Sequence, residues 1–171
     1  MSLFQALILG IIEGLTEFLP VSSTAHLLLA ERVMSLEGEF MKSFSIIIQL
    51  GAILSVVVLY WKKFWNWEVL AKLVVAFIPT GILGLTLYKA IKGYLFENTT
   101  VILAALVIGG VILILFERYH DRTEREVDFA EITYKRAFLI GLFQSIAMIP
   151  GVSRSAATIV GGEIVWQRIE L

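Results

Sequence analysis

Hydrophobic and polar positions fall into long blocks along this chain, not into the short alternations of a soluble fold. Ser43 to Trp61 (SFSIIIQLGAILSVVVLYW) runs 19 residues without a charged side chain, and Asn98 to Phe116 (NTTVILAALVIGGVILILF) does the same. Val69 to Tyr88 is a third apolar run, broken only by Lys72 near one end, where the long stem lets the ammonium snorkel to an interface. A helix rising 1.5 Å per residue needs about 20 apolar residues to cross roughly 30 Å of hydrocarbon. The pattern therefore predicts transmembrane helices over 43–61, 69–88 and 98–116. Pro79 and the glycines after it predict a kink in the second, tolerable where neighbouring helices satisfy the freed backbone.

Two apolar regions are too short for that template. Leu3 to Ile12 is apolar but meets Glu13, Glu17 and Pro20 before hydrophobicity resumes at Leu27. Ala137 to Pro150 is likewise short and is interrupted by Pro150, Gly151 and Arg154. Each reads as a helix, a break flanked by polar residues, and a second half-helix. That is the pattern of a re-entrant hairpin, allowed at membrane depth only where protein or a watery cavity surrounds the break. Residues 1–35 are predicted to form one such hairpin and 137–171 part of another. A signal peptide does not fit the N-terminus, which lacks a basic leading region and carries two glutamates.

Charge in the connections orients the molecule. Lys62, Lys63, Arg118, Arg122, Arg125, Lys135 and Arg136 fall on one side, and Arg32, Lys42, Lys89 and Lys92 on the other. The positive-inside rule places the first side in the cytoplasm. The loop 117–136 mixes both signs and is expected to be a solvated cytoplasmic linker, with no role for its His120.

Composition narrows the class further. Of 171 residues, 58% are hydrophobic and 17% charged, against roughly a quarter charged in a soluble domain. Disorder is excluded, since it needs low hydrophobicity and high charge. With no cysteine, a disulfide framework and a cysteine zinc site are excluded, and a net charge of −1 offers no basic field for nucleic acid. The expected fold is an all-α polytopic membrane protein forming a single membrane domain.

The two broken regions also resemble each other. Glu13–His26 (EGLTEFLPVSSTAH) aligns with Gln144–Ala157 (QSIAMIPGVSRSAA), with Glu13 on Gln144, Glu17 on Met148 and, after one inserted glycine, Val21-Ser22-Ser23 on Val152-Ser153-Arg154. Three predicted spans separate them, and an odd number of crossings brings the hairpins in from opposite faces. The expectation is an inverted-topology repeat of one re-entrant hairpin plus three transmembrane helices, the second repeat incomplete, with a site near the midplane.

The residues at these breaks suit anion chemistry. Ser22, Ser23 and Thr24 are good N-cap residues for the half-helix after Pro20, and a helix N-terminus offers free N–H groups and partial positive charge. Ser153, Arg154 and Ser155 repeat the arrangement, with a planar guanidinium suited to phosphate oxygens. Two such ends facing each other fit a pyrophosphate. Glu13 and Glu17, four apart, share a helical face and need a cation, a shared proton or Arg154. Mg²⁺ held by carboxylates and substrate phosphates would satisfy them. His26 shares a face with Ser22 and Ser23, placing it to act as base on a serine hydroxyl or as acid to a leaving group. Ionisable groups inside a membrane are costly and mark function by default.

EGLTEFLPVSSTAHL (Glu13–Leu27) and PGVSRSAAT (Pro150–Thr158) resemble the two signature motifs of the undecaprenyl-pyrophosphate phosphatases, also called bacitracin-resistance proteins. Ile48–Leu54 (IQLGAIL) is similar to that family's first spanning helix. The resemblance implies a bacterial inner-membrane hydrolase that converts undecaprenyl pyrophosphate to the monophosphate carrier lipid for cell-wall synthesis, conferring bacitracin resistance. It implies a divalent cation, Mg²⁺ or Ca²⁺, and a site open to the periplasm. Residue by residue it places the acidic pair and metal ligands on Glu13 and Glu17, a serine nucleophile on Ser23, the histidine on His26 and the essential arginine on Arg154. Ser22, Thr24, Ser153, Ser155 and Thr158 take the remaining polar positions as phosphate-binding candidates. Whether serine or water attacks is left open. The implied partners are the polyprenyl pyrophosphate lipid and the bilayer, with a homodimer admitted and nucleic acid not expected.

Ala156 stands where many relatives have glycine. The family continues with three more spanning helices beyond Leu171, and Glu163–Leu171 (EIVWQRIEL) departs from its pattern. The chain is therefore expected to be a truncated form, with full activity belonging to the complete protein. A lipid-phosphate flippase or transporter, or an inactive fragment, are the competing expectations, the first because inverted repeats are chiefly a transporter architecture.

Overall fold

Ser2 starts the first helix by a reciprocal cap. Its hydroxyl accepts the Gln5 N–H at 3.2 Å while the Gln5 side chain takes the Ser2 N–H at 2.7 Å. The capping box satisfies two donors that a helix start leaves without partners. In the computed structural model, which describes residues 1–90, 98–119 and 131–168, every described element is a helix. His120, Arg122, Arg125, Lys92 and residues 169–171 lie outside the described residues.

Helix α1 (Leu3–Thr16) and helix α2 (Ser23–Val33) form the first hairpin, folded back at Glu17–Ser22. Helix α3 (Glu39–Leu59) follows, then a single turn α4 (Trp61–Phe64) and helix α5 (Trp67–Ala90), which continues through Pro79. Helix α6 (Thr99–Tyr119) precedes the second hairpin. This comprises helix α7 (Tyr134–Ser145), a 3-10 turn at Ile146–Met148 and helix α8 (Arg154–Arg168). α3, α5 and α6 are long and apolar enough to cross a membrane and coincide with the three runs read from the sequence. Large apolar side chains stand exposed along them, including Val58 and Leu59 on α3, Leu85 on α5 and Ile114 on α6. A soluble monomer rarely shows contiguous apolar surface of this extent. Among the described residues the chain is all helical, and its three long apolar helices mark it as a membrane protein.

What is buried lies between the hairpins and these helices. Leu9, Leu27 and Met41 form a small core from α1, α2 and α3, with Ile12, Ala30, Phe44 and Ile48 packed against it. Polar ties pin the first hairpin. Ser45 on α3 donates to Glu31 at 2.5 Å, and Arg32 at the end of α2 donates to Thr99 at the start of α6 at 2.7 Å.

The second hairpin is held by close backbone approach. A Cβ at Gly141 of α7 would meet the Ala76 carbonyl oxygen of α5 at 2.0 Å, and one at Gly161 of α8 would meet Phe143 Cβ of α7 at 2.4 Å. A hydroxyl pair reinforces the α5–α7 seam, with Thr80 and Ser145 3.1 Å apart and Ser145 donating to the Gly141 carbonyl at 2.9 Å. Such small-residue contacts and shared hydroxyls drive helix association where lipid removes the hydrophobic driving force.

Lys72 is buried and ion-paired at 2.7 Å with Glu68 in the first turn of α5, so its ammonium is directed toward that end of the helix.

Candidate functional site

Glu17 stands at the C-cap of α1, at the first fold-back, and Arg154 opens α8 at the second break. The fold brings them together. One carboxylate oxygen of Glu17 accepts from Arg154 Nη2 at 2.8 Å, and the other accepts from Ser23 Oγ at 2.5 Å. The Glu17 side chain is 7% exposed and that of Arg154 48%, so a buried carboxylate is paired with a half-exposed guanidinium. Hydrogen bonds with an ionised partner are short and about twice as strong as neutral ones. A second tie joins the breaks directly: Ser155 Oγ donates to the Leu19 carbonyl at 2.7 Å.

Ser22 reaches its place by an unusual backbone. Its φ of 61° lies in the left-handed region, and it is buried. It occupies the N-cap position of α2, as the sequence indicates, but its hydroxyl makes no capping bond. Its carbonyl instead faces His26 Nδ1 at 2.9 Å. A carbonyl only accepts, so Nδ1 carries a proton and, when the ring is neutral, its lone pair is on Nε2. Ser23, also buried, turns its hydroxyl to Glu17 and not to His26. The pairing of histidine with serine anticipated from their shared face is thus replaced. Geometry makes Glu17 the partner of the Ser23 hydroxyl. Thr24 lies half-buried beside them.

The second break is tighter. Gly151 has φ 98°, and a Cβ there would meet the Ile102 carbonyl oxygen of α6 at 2.2 Å. Only glycine fits both the backbone and the approach. Ser153 caps α8 as expected, accepting the Ala156 N–H at 3.2 Å, and its hydroxyl lies 2.8 Å from that of Ser155. The Thr158 hydroxyl donates to the Arg154 carbonyl on its own helix at 2.8 Å.

Glu13 is the outlier in energy. It is 1% exposed, and neither carboxylate oxygen has a hydrogen-bond partner among the described residues. A buried ionised carboxylate without a partner is strongly unfavourable, so this group calls for a cation or a proton. Because Glu17 spends both oxygens on Ser23 and Arg154, Glu13 is the carboxylate with coordination capacity to spare. No cluster of three or more metal-ligating side chains occurs among the described residues. A divalent ion bound here would therefore have to complete its shell with substrate oxygens and water, which Mg²⁺ commonly does.

Two elements of the site carry no side-chain signature: the Leu19 carbonyl and the left-handed Ser22. A serine gives no hint of positive φ, and an acceptor on the main chain belongs to every residue alike.

Residues 6–167 match the family described as Bacitracin resistance protein BacA. The chain is 48% identical over 167 residues to an undecaprenyl-diphosphatase of Aquifex aeolicus, covering 96% of this chain and 65% of that protein. It is 52% identical over 164 residues to one from a Sulfurihydrogenibium species, covering 95% and 64%, and 50% identical over 160 residues to one from Campylobacter jejuni, covering 92% and 59%. The chain thus spans just under two thirds of the length of these relatives.

Proposed function

The chain belongs to the bacitracin resistance protein BacA family, and from that premise we propose that it carries the catalytic hairpins of an enzyme that hydrolyses undecaprenyl pyrophosphate to undecaprenyl phosphate. The observation that carries this reading is Glu17 bridging Ser23 and Arg154, two broken helices and 137 positions apart from the arginine. The relatives are named as diphosphatases, which favours hydrolysis over transport.

Phosphoryl transfer asks a protein mainly for positioning and charge neutralisation. Arg154 uses one nitrogen on Glu17 and has further donors in its fork for pyrophosphate oxygens. The N-termini of α2 and α8 add backbone N–H groups. Ser22, Thr24, Ser153 and Ser155 surround them with hydroxyls, while Thr158 supports Arg154 through its carbonyl. Glu17 orients the Ser23 hydroxyl and takes its proton if serine is the nucleophile; the same carboxylate can orient water. His26, with its lone pair on Nε2, is placed to manage a second proton. Glu13, with Glu17 beside it, would hold a divalent cation, Mg²⁺ or Ca²⁺, whose chemistry is to neutralise phosphate charge.

The same reading covers architecture and place. α2 ends on Thr99 at the start of α6, whereas α7 begins after α6 has ended, and the two breaks meet between. That arrangement supports hairpins entering from opposite faces and an inverted repeat within one membrane domain. The loop charges and the family support the bacterial cytoplasmic membrane, with the site toward the periplasm and cell-wall lipid recycling as its role.

Phosphate release from a long-chain isoprenoid pyrophosphate in detergent, with and without Mg²⁺, tests the proposal. Glu17→Gln is expected to lower the rate of the complete protein by on the order of 10²–10³, the range of a lost general base. A rate equal to the parent's would sink the site assignment.

A further inference from the structure

Three of the four tryptophans in the chain, Trp61, Trp65 and Trp67, fall within seven residues. They occupy the turn between α3 and α5, two helices able to cross a membrane, so the turn lies at one edge of the hydrocarbon. Trp65 and Trp67 are each 83% exposed, and Tyr60 and Trp61 are exposed as well. Trp61 and Trp65 pack edge to face with ring centroids 6.4 Å apart. Amphipathic rings settle at headgroup level, so this cluster fixes the depth of whatever it carries.

What it carries is positive charge. Lys62 Nζ lies 5.9 Å from the Trp61 ring centroid and Lys63 Nζ 5.6 Å from that of Tyr60. Cation–π contact of this kind holds an ammonium against an aromatic face. The carboxylate that follows, Glu68, faces along α5 toward Lys72 at 2.7 Å. The turn thus sets two ammoniums beside aromatic rings at the depth of lipid phosphates. None of these residues belongs to the Glu17–Arg154 site.

We propose that Tyr60–Trp67 is a headgroup site selecting anionic phospholipids over zwitterionic ones. The recognition is electrostatic: basic residues beside a membrane attract anionic lipid, on the order of fivefold for each lysine, and salt screens the effect.

Tryptophan quenching tests this without reference to activity. The chain bearing Trp166→Phe, which leaves Trp61, Trp65 and Trp67 as reporters, is reconstituted in phosphatidylcholine vesicles containing a minor fraction of phosphatidylglycerol. In parallel samples one lipid or the other carries acyl chains brominated near the headgroup. Quenching by brominated phosphatidylglycerol is expected to exceed its mole fraction severalfold and to fall back toward it in high salt. Lys62→Gln with Lys63→Gln should remove the excess, and Lys62→Arg with Lys63→Arg should keep it. Quenching that tracks mole fraction in the parent overturns the proposal, and so does an excess that survives the glutamine pair.

Discussion

Glu17 has two oxygens and gives each to a different kind of partner, a hydroxyl and a guanidinium. That division explains why neither neighbour can be exchanged for a look-alike. Arg154→Lys keeps the charge but loses the planar fork that reaches Glu17 and that the proposed reaction would also use on phosphate. We expect phosphate release by the complete protein to drop about tenfold or more, and Arg154→Ala to drop it further by leaving a shielded carboxylate without its cation. Ser22 makes a separate, structural prediction. Left-handed backbone costs a residue other than glycine roughly 1–2 kcal/mol. Ser22→Gly should therefore hold or raise the thermal midpoint in detergent, and Ser22→Val should lower it, whatever either does to activity.

At the scale of elements, the hairpins are positioned by glycine and hydroxyl, not by bulk. Gly141→Ala would drive a methyl into the Ala76 carbonyl and push α7 off α5, costing about 1–3 kcal/mol as overpacking does. Gly109 on α6 is the control, since among the described residues nothing lies within 4 Å of a Cβ there. Its change to alanine should be neutral or gain up to about 1 kcal/mol of helix propensity. Thermal unfolding of the two variants side by side decides it, and equal midpoints would disprove the close seam. These seams were only partly legible in the chain. Sequence marks where a glycine is, while its neighbour across the interface depends on how two helices rotate and slide against each other.

For the whole molecule, the three long helices predict that the two ends of each face opposite compartments, and the loop charges predict which. The chain has no cysteine, so single cysteines can be introduced cleanly at Glu37, before α3, and at Asn66, between α3 and α5. A membrane-impermeant thiol reagent applied to right-side-out vesicles should label the first and spare the second. Labelling of both from the same side would refute a spanning α3. Carbonate washing at high pH should leave the protein in the membrane pellet, as expected of so much exposed apolar surface.

By itself, the sequence determined the helical class, the three helices long and apolar enough to span a membrane, the two broken regions and the identity of the charged residues within them. It could do so because a bilayer imposes a constraint along one dimension: length and apolarity suffice to recognise a span, and a charge that interrupts one is conspicuous. Tertiary structure alone decided who meets whom. It turned the Ser23 hydroxyl to Glu17 and the His26 ring to a carbonyl, paired Lys72 with Glu68, and left Glu13 buried with no hydrogen-bond partner among the described residues. It also required positive φ at Ser22 and an absent side chain at Gly151. Those outcomes turn on packing in three dimensions between segments as distant as Glu17 and Arg154, where alternatives differ by little energy and periodicity is silent.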